Sequence, residues 1–227
     1  MTISRFGAVV LGMTMLGAAT ASAQTAETSA ESWRAKVTQF AAQNFKHPAW
    51  GFSHSQRDYA LAKSLAAADH VSLDDDVLFA AAYLHDMAAF KAFAEPKTDH
   101  SDTAAAKIDM VLADTDFPKA KLDAVREAIR NHMFYRDPVG PEARYLHDAD
   151  ALDWLGAIGV ARLMARVDEN GGKPTGPDMV KGLEDNMKAV PPRVFSPAGK
   201  ARIAPLLAEE NAFLDALRRE TDNLSTL

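Results

Sequence analysis

The sequence predicts an all-α protein, one compact bundle of about eight helices, on three observations. From Ser32 onward, apolar residues recur at the three- and four-residue spacings of a helix face, and alternating strand patterns are nearly absent. Polar residues able to cap helices, with glycine and proline to stop them, punctuate the chain between the periodic segments. The 227 residues are 48% hydrophobic and 25% charged, the composition of a soluble globular domain.

The first segment differs in kind. In MTISRFGAVVLGMTMLGAATASAQ a single Arg5 precedes an apolar run from Phe6 to Ala19, and small residues at Ala21 and Ala23 follow. This is the pattern of a secretory signal peptide over residues 1–23, cut after Ala23, with a retained membrane anchor as the alternative; the run is shorter than the roughly 20 residues that span a bilayer. Residues 24–31, QTAETSAE, read as a solvated spacer, leaving 32–227 as the folded domain. The expectation is a periplasmic or secreted protein with no stable membrane insertion once the signal is removed.

The elements then follow in order. SWRAKVTQFAAQNF places Trp33, Val37, Phe40 and Phe45 near one face, and SQRDYALAKSLAAAD offers Tyr59, Leu61 and Leu65 for packing. SLDDDVLFAAAYLHD opens at Ser72, whose hydroxyl can cap, and its three aspartates suit the positive end of the helix dipole. After the polar turn EPKTDHSD, the segments TAAAKIDMVLAD and KAKLDAVREAIRNHMF read as two helices. A loop at Pro138 to Pro141 leads into one long helix through LHDADALDWLGAIGVARLMARV, which Asn170-Gly171-Gly172 should end. GPDMVKGLEDNMKAV and SPAGKARIAPLLAEENAFLDALRRE complete the bundle, and no internal repeat is present.

Composition narrows the chemistry. With no cysteine, the fold rests on its core alone, and thiolate nucleophiles, zinc fingers and iron–sulfur clusters are excluded. His, Asp and Glu remain as metal donors. The formal charge of −6, or −7 once Arg5 leaves with the signal, argues against broad nucleic-acid binding.

Within the apolar stretch AAAYLHDMAAF, His85 and Asp86 stand side by side. Burying a polar group without its hydrogen bonds costs roughly 2 to 7 kcal/mol, so a metal ion, a hydrogen-bonded pair or a less buried helix must compensate. Adjacent side chains diverge by about 100° on a helix, so convergence on one ion requires the helix to end near Met87.

The order His54, His85-Asp86, Asp150 resembles the H…HD…D motif of the HD-domain superfamily of metal-dependent phosphohydrolases. The block YLHDADALDWLGAIGVARL is similar to the signature DAD-x-LD-x-LGAIG-x-AR of a bacterial subgroup, and IRNHMF upstream fits the same subgroup. The resemblance covers about residues 50 to 165. It implies that His54, His85, Asp86 and Asp150 hold a divalent ion (Mn, Fe, Co, Ni, Zn or Mg), one ion in preference to two. It also implies that a metal-activated water hydrolyses a small phosphate ester or anhydride, nucleotides among them. The alternatives are a metal- or ligand-binding protein that keeps the fold without turnover, and a helical interaction protein with fortuitous histidines.

His100 and His132 are read as substrate contacts or proton donors, as ligands of a second ion, or as structural residues. His100 is the better candidate for protonating a leaving oxygen. Arg57, one turn after His54, is read as a phosphate contact or a surface salt bridge. Asp148 reads as a helix N-cap, and Asp153 as an acceptor for a ligand histidine or an ordinary polar contact. Ala151 departs from the DADRL version of the motif, which carries Arg there. His47, His70 and His147 are read as structural.

Overall fold

Helix α3 (Asp75–Leu84) runs through the middle of the molecule, and every residue from Val77 to Leu84 is buried. A helix apolar on all sides has no solvent face and must be enclosed. In this computed structural model, which describes residues 33–227, the enclosure comes mainly from α2 (Phe52–Ala68), α6 (Leu122–Arg130) and α7 (Pro141–Leu152). Helix α1 (33–44) adds Trp33, Val37 and Ala41 to the same core. Helix α4 (His100–Lys107) packs on α6 and leads into the single turn α5 (Asp109–Leu112). Helices α8 (Gly156–Met164), α9 (Gly176–Ala189) and α10 (Pro197–Glu220) enclose a second, smaller core around Leu163, Leu183 and Leu214. No strand occurs among the described residues, in agreement with the all-α expectation. The signal peptide and spacer lie outside the described residues.

Four local expectations are corrected. The cap of α3 is Asp74, not Ser72: the helix begins three residues after the serine, and the Asp74 carboxylate accepts from the backbone of Asp76 and Val77. Lys121 and Arg34 then neutralise the aspartates of this helix start. The long helix through LHDADALDWLGAIG is two helices. The chain turns at Asp153–Leu155, and Gly156 adopts φ +65, where a Cβ would come within 2.7 Å of the Leu206 side chain. Only glycine permits both the left-handed backbone and the close passage of α10. The second of these helices ends at Met164, well before Asn170; Gly171 serves a turn in the following loop instead.

Asp148 is not an N-cap. Pro141 starts α7, so Asp148 falls inside the helix, fully buried, where it accepts from the backbone of Phe195 at 2.9 Å and Ser196 at 2.6 Å. It therefore ties α7 to the entry of α10. A second buried carboxylate, Glu210 of α10, accepts from the Gly156 backbone at 3.2 Å, and its other oxygen has no partner. Burial pushes the Glu210 carboxyl up to about 7 from its ordinary 4.5. The folded state thus binds this proton more tightly than the unfolded chain, so the contribution to stability is full below about 4.5 and is lost as the pH rises to about 7. Glu210→Gln is expected to stabilise the protein by about 1 to 2 kcal/mol at pH 8 and to have little effect at pH 4.5, measured by urea denaturation at both values.

Candidate metal centre

Three elements converge beside the C-terminal end of α3. Helix α2 carries His54 and Asp58 four residues apart, hence on one face, directed at α3 and α7. Helix α3 stops at Leu84, His85 is its C-cap, and a short 3-10 turn covers Met87–Ala89. The helix end that convergence of His85 and Asp86 requires is present. Helix α7 supplies Asp150 from its last turn and Asp153 just beyond it.

The four donors expected from the sequence come together. His54 Nε2 lies 3.3 Å from His85 Nε2, 3.6 Å from Asp86 Oδ2 and 3.3 Å from Asp150 Oδ1. A fifth group, Asp58, places Oδ2 3.1 Å from the same His54 nitrogen. Two sets can each offer donor atoms that all lie within 4.8 Å of one another: His54, Asp58, His85 and Asp150, and, on the outer side, His85, Asp86 and His132. The signal for Asp58 was its position one turn from His54 on a largely apolar helix face.

The hydrogen bonds fix which ring nitrogens face inward. His54 Nδ1 meets Asp153 Oδ2 at 2.8 Å, His85 Nδ1 meets the Ala82 carbonyl at 2.8 Å, and His132 Nδ1 meets the Ile129 carbonyl at 2.5 Å. Each Nδ1 is therefore the proton donor in the neutral ring, and each Nε2 turns a lone pair toward the carboxylates. This is the arrangement of metal-ligating histidines, whose other nitrogen donates to a carboxylate or carbonyl. Carboxylates and lone pairs crowded in a buried site need a cation, and the donor set of nitrogen and hard oxygen fits a divalent ion.

Protons are the competing cations. Burial works against a charged His54, but Asp58, Asp150 and Asp153 outweigh it and raise its pKa. For Asp86 and Asp150 burial is likewise overcome, by His85 and His100 at the first and by His54 and His85 at the second, and both are held well below the usual carboxylate range. His100 is raised by its hydrogen bond to Asp86, whereas burial, with the neighbouring His85, lowers His132 to about 4.

Asp153 is the anchor behind the centre. Besides His54 it accepts from Arg57 Nε and Nη2, both at 2.8 Å, and from Arg162 Nη1 at 3.0 Å. The Arg57 fork, read as a phosphate contact or a surface salt bridge, is closed on Asp153, as a half-buried salt bridge. Arg162, which the sequence reading passed over, is buried with its guanidinium 3.6 Å from the centre of the Trp154 ring and its Nη2 3.3 Å from His54 Nε2. His100 is a third exposed and stands 3.2 Å from Asp86 Oδ1; His132 is buried with its Nε2 3.8 Å from the same oxygen.

Of the remaining histidines, His47 and His70 sit apart, while His147 lines the larger of two cavities without joining the cluster of donors. His47 stacks on Trp50, His70 occupies a left-handed position beyond α2, and His147 is buried beside Asp148. Two cavities open on the centre. One of about 410 Å³ has His132 and Asp150 on one side and Trp154, Arg166, Asp185 and Asn186 on the others. A smaller one of about 210 Å³ is lined by Trp50, Asp86, His100 and Arg162 among others.

Known proteins match this architecture. Residues 51–155 match the family described as HD domain. A protein described as a predicted HD-superfamily hydrolase, from an uncultured Thermotogales bacterium, superposes with a TM-score of 0.58 at 22% identity, covering 81% of this chain and 90% of its own. An HD-superfamily hydrolase from Bacillus thuringiensis gives 0.58 at 20% identity, covering 85% and 98%. Bacillus subtilis YpgQ in complex with ADP gives 0.62 at 18% identity, covering 86% and 96%. No curated protein matches the sequence. Residues 51–155 therefore carry an HD domain, and the helical order around the His/Asp cluster is the fold of the HD-superfamily hydrolases.

Proposed function

We propose that this protein is a metal-dependent phosphohydrolase acting on a small phosphate ester or anhydride, with a nucleotide as the favoured substrate class. The observation that carries the reading is a buried cluster of inward-facing imidazole and carboxylate donors at the wall of two open cavities. When bound, the divalent ion supplies Lewis-acid neutralisation of phosphoryl charge and an acidified water. The protein's own groups do the rest. His54, His85, Asp86 and Asp150 hold the ion, and Asp153 keeps His54 in the tautomer that ligation needs.

His100, at the cavity wall beside Asp86, donates the proton to the leaving oxygen. His132 lines both cavities and contacts the phosphoryl group. Arg57 acts through Asp153, not by touching phosphate. The larger cavity takes the organic part of the substrate: Trp154 offers a flat face, and Asn186 and Asp185 offer polar contacts to a heterocycle. The ADP bound to the Bacillus subtilis relative supports the nucleotide class. The leader over residues 1–23 supports an exported enzyme.

The test is a panel of phosphomonoesters, phosphodiesters and nucleoside mono-, di- and triphosphates, each with Mn, Fe, Co, Ni, Zn or Mg. Release of phosphate or pyrophosphate that is abolished by a chelator and restored by metal is expected. Stoichiometric metal with no turnover on the whole panel would instead make the protein a non-catalytic metal binder.

A further inference from the structure

Asp58 is fully buried, and neither of its carboxylate oxygens has a hydrogen-bond partner. An unpaired carboxylate in such a place is costly enough that proteins either neutralise it or give it a cation. Its nearest polar neighbours are His54 Nε2 at 3.1 Å and His85 Nε2 at 3.7 Å. In the neutral rings both nitrogens carry lone pairs, because their Nδ1 atoms donate to Asp153 and the Ala82 carbonyl. Arg162 reaches His54 but makes no hydrogen bond to Asp58. With both rings neutral, no hydrogen-bond donor of the protein answers this carboxylate.

The geometry does. Two donors on one ion of metal–ligand distance about 2.0 to 2.2 Å stand about 3 to 4.4 Å apart. Oδ2 of Asp58 meets that spacing to both His54 and His85, and its group of four with Asp150 is mutually within 4.8 Å. His54 and Asp58 on successive turns of α2 also form a chelate that helix geometry pre-sets. We propose that Asp58 is a further ligand of the ion, giving a deep tetrad of His54, Asp58, His85 and Asp150, with Asp86 on the outer side toward His100 and His132. The inference rests on the metal-centre reading above. It makes the site richer in carboxylate, which favours hard six-coordinate ions such as Mn over tetrahedral Zn.

The experiment compares wild-type protein with Asp58→Asn after chelator treatment, by titration with Co and Mn, the visible Co absorption bands and circular dichroism. Loss of 10- to 100-fold in affinity for both ions, with altered Co bands and retained helicity, is expected. Asp58→Leu, apolar and suited to burial without a partner, must show the same loss, so the result does not depend on the folding of one variant. Unchanged affinity and unchanged Co bands in either folded variant overturn the assignment and leave the metal centre standing. A wild-type protein that binds neither ion overturns the metal-centre reading itself, and the role of Asp58 with it.

Discussion

Asp150→Ala is expected to leave the protein without stoichiometric metal and to lower phosphohydrolase turnover by about a thousandfold or more. The magnitude follows from the several kcal/mol of charge stabilisation that a metal supplies, at about 1.4 kcal/mol per tenfold in rate. The residue is suited to the test because it faces both cavities from the last turn of α7. Its carboxylate meets His54 Nε2 at 3.3 Å and the edge of the Arg162 guanidinium at 3.9 Å, and it lies within 4.8 Å of the donor atoms of Asp58 and His85. Metal content after dialysis and turnover at saturating metal are the measurements. A variant that retains one equivalent of metal would remove Asp150 from the ligand set.

Asp153→Ala is expected to cost about 3 to 5 kcal/mol of stability, because it strips the partner from a buried cation. Arg162 is 2% exposed and would keep the Ala49 carbonyl, His54 Nε2 and a carboxylate 3.9 Å away at Asp150, but no close carboxylate. Arg57 loses both bonds of its fork, and His54 loses the acceptor that sets its tautomer. A second effect separates this residue from one that merely packs: metal affinity should fall 10- to 100-fold, as when the acceptor behind a ligand histidine is removed. Urea denaturation of the metal-free protein reads the first effect and metal titration the second. Asp153→Asn keeps one acceptor oxygen and should fall between the variant and wild type on both. An unfolding midpoint unchanged in Asp153→Ala would show that the arginines find other partners.

Much of the fold was legible because helices announce themselves through periodicity, and α3 through an unbroken apolar run with aspartates at its head. The centre was legible where its residues recur in a known order: His54, the His85-Asp86 pair and Asp150 do converge. What escaped depends on tertiary placement. Asp148 looks like a cap in one dimension, but its true partners, the amides of Phe195 and Ser196, lie 47 and 48 residues away. Gly156 looks like an ordinary residue of a long helix until the passage of Leu206 demands a missing Cβ. Asp58, one turn from His54, was passed over, because only burial without hydrogen bonds distinguishes it from a surface aspartate. Arg57 and Arg162 show the converse: a guanidinium near a site tells nothing of its role until its acceptor is known, and here both share Asp153.

The enclosure of α3 has a consequence for the chain before it folds. VLFAAAYL is eight consecutive residues with no place in water, and whenever the bundle opens they become an aggregation-prone segment. The charges that interrupt self-association sit at its two ends: Asp74, Asp75 and Asp76 before it, His85 and Asp86 after it. In the native state Asp74 caps the helix, Asp75 and Asp76 occupy its first turn, and His85 and Asp86 line the candidate metal centre; in the nascent chain the same residues act as gatekeepers. Neutralising them therefore threatens solubility as well as binding, and a variant recovered in poor yield can reflect the loss of this guard even where the folded bundle is unharmed.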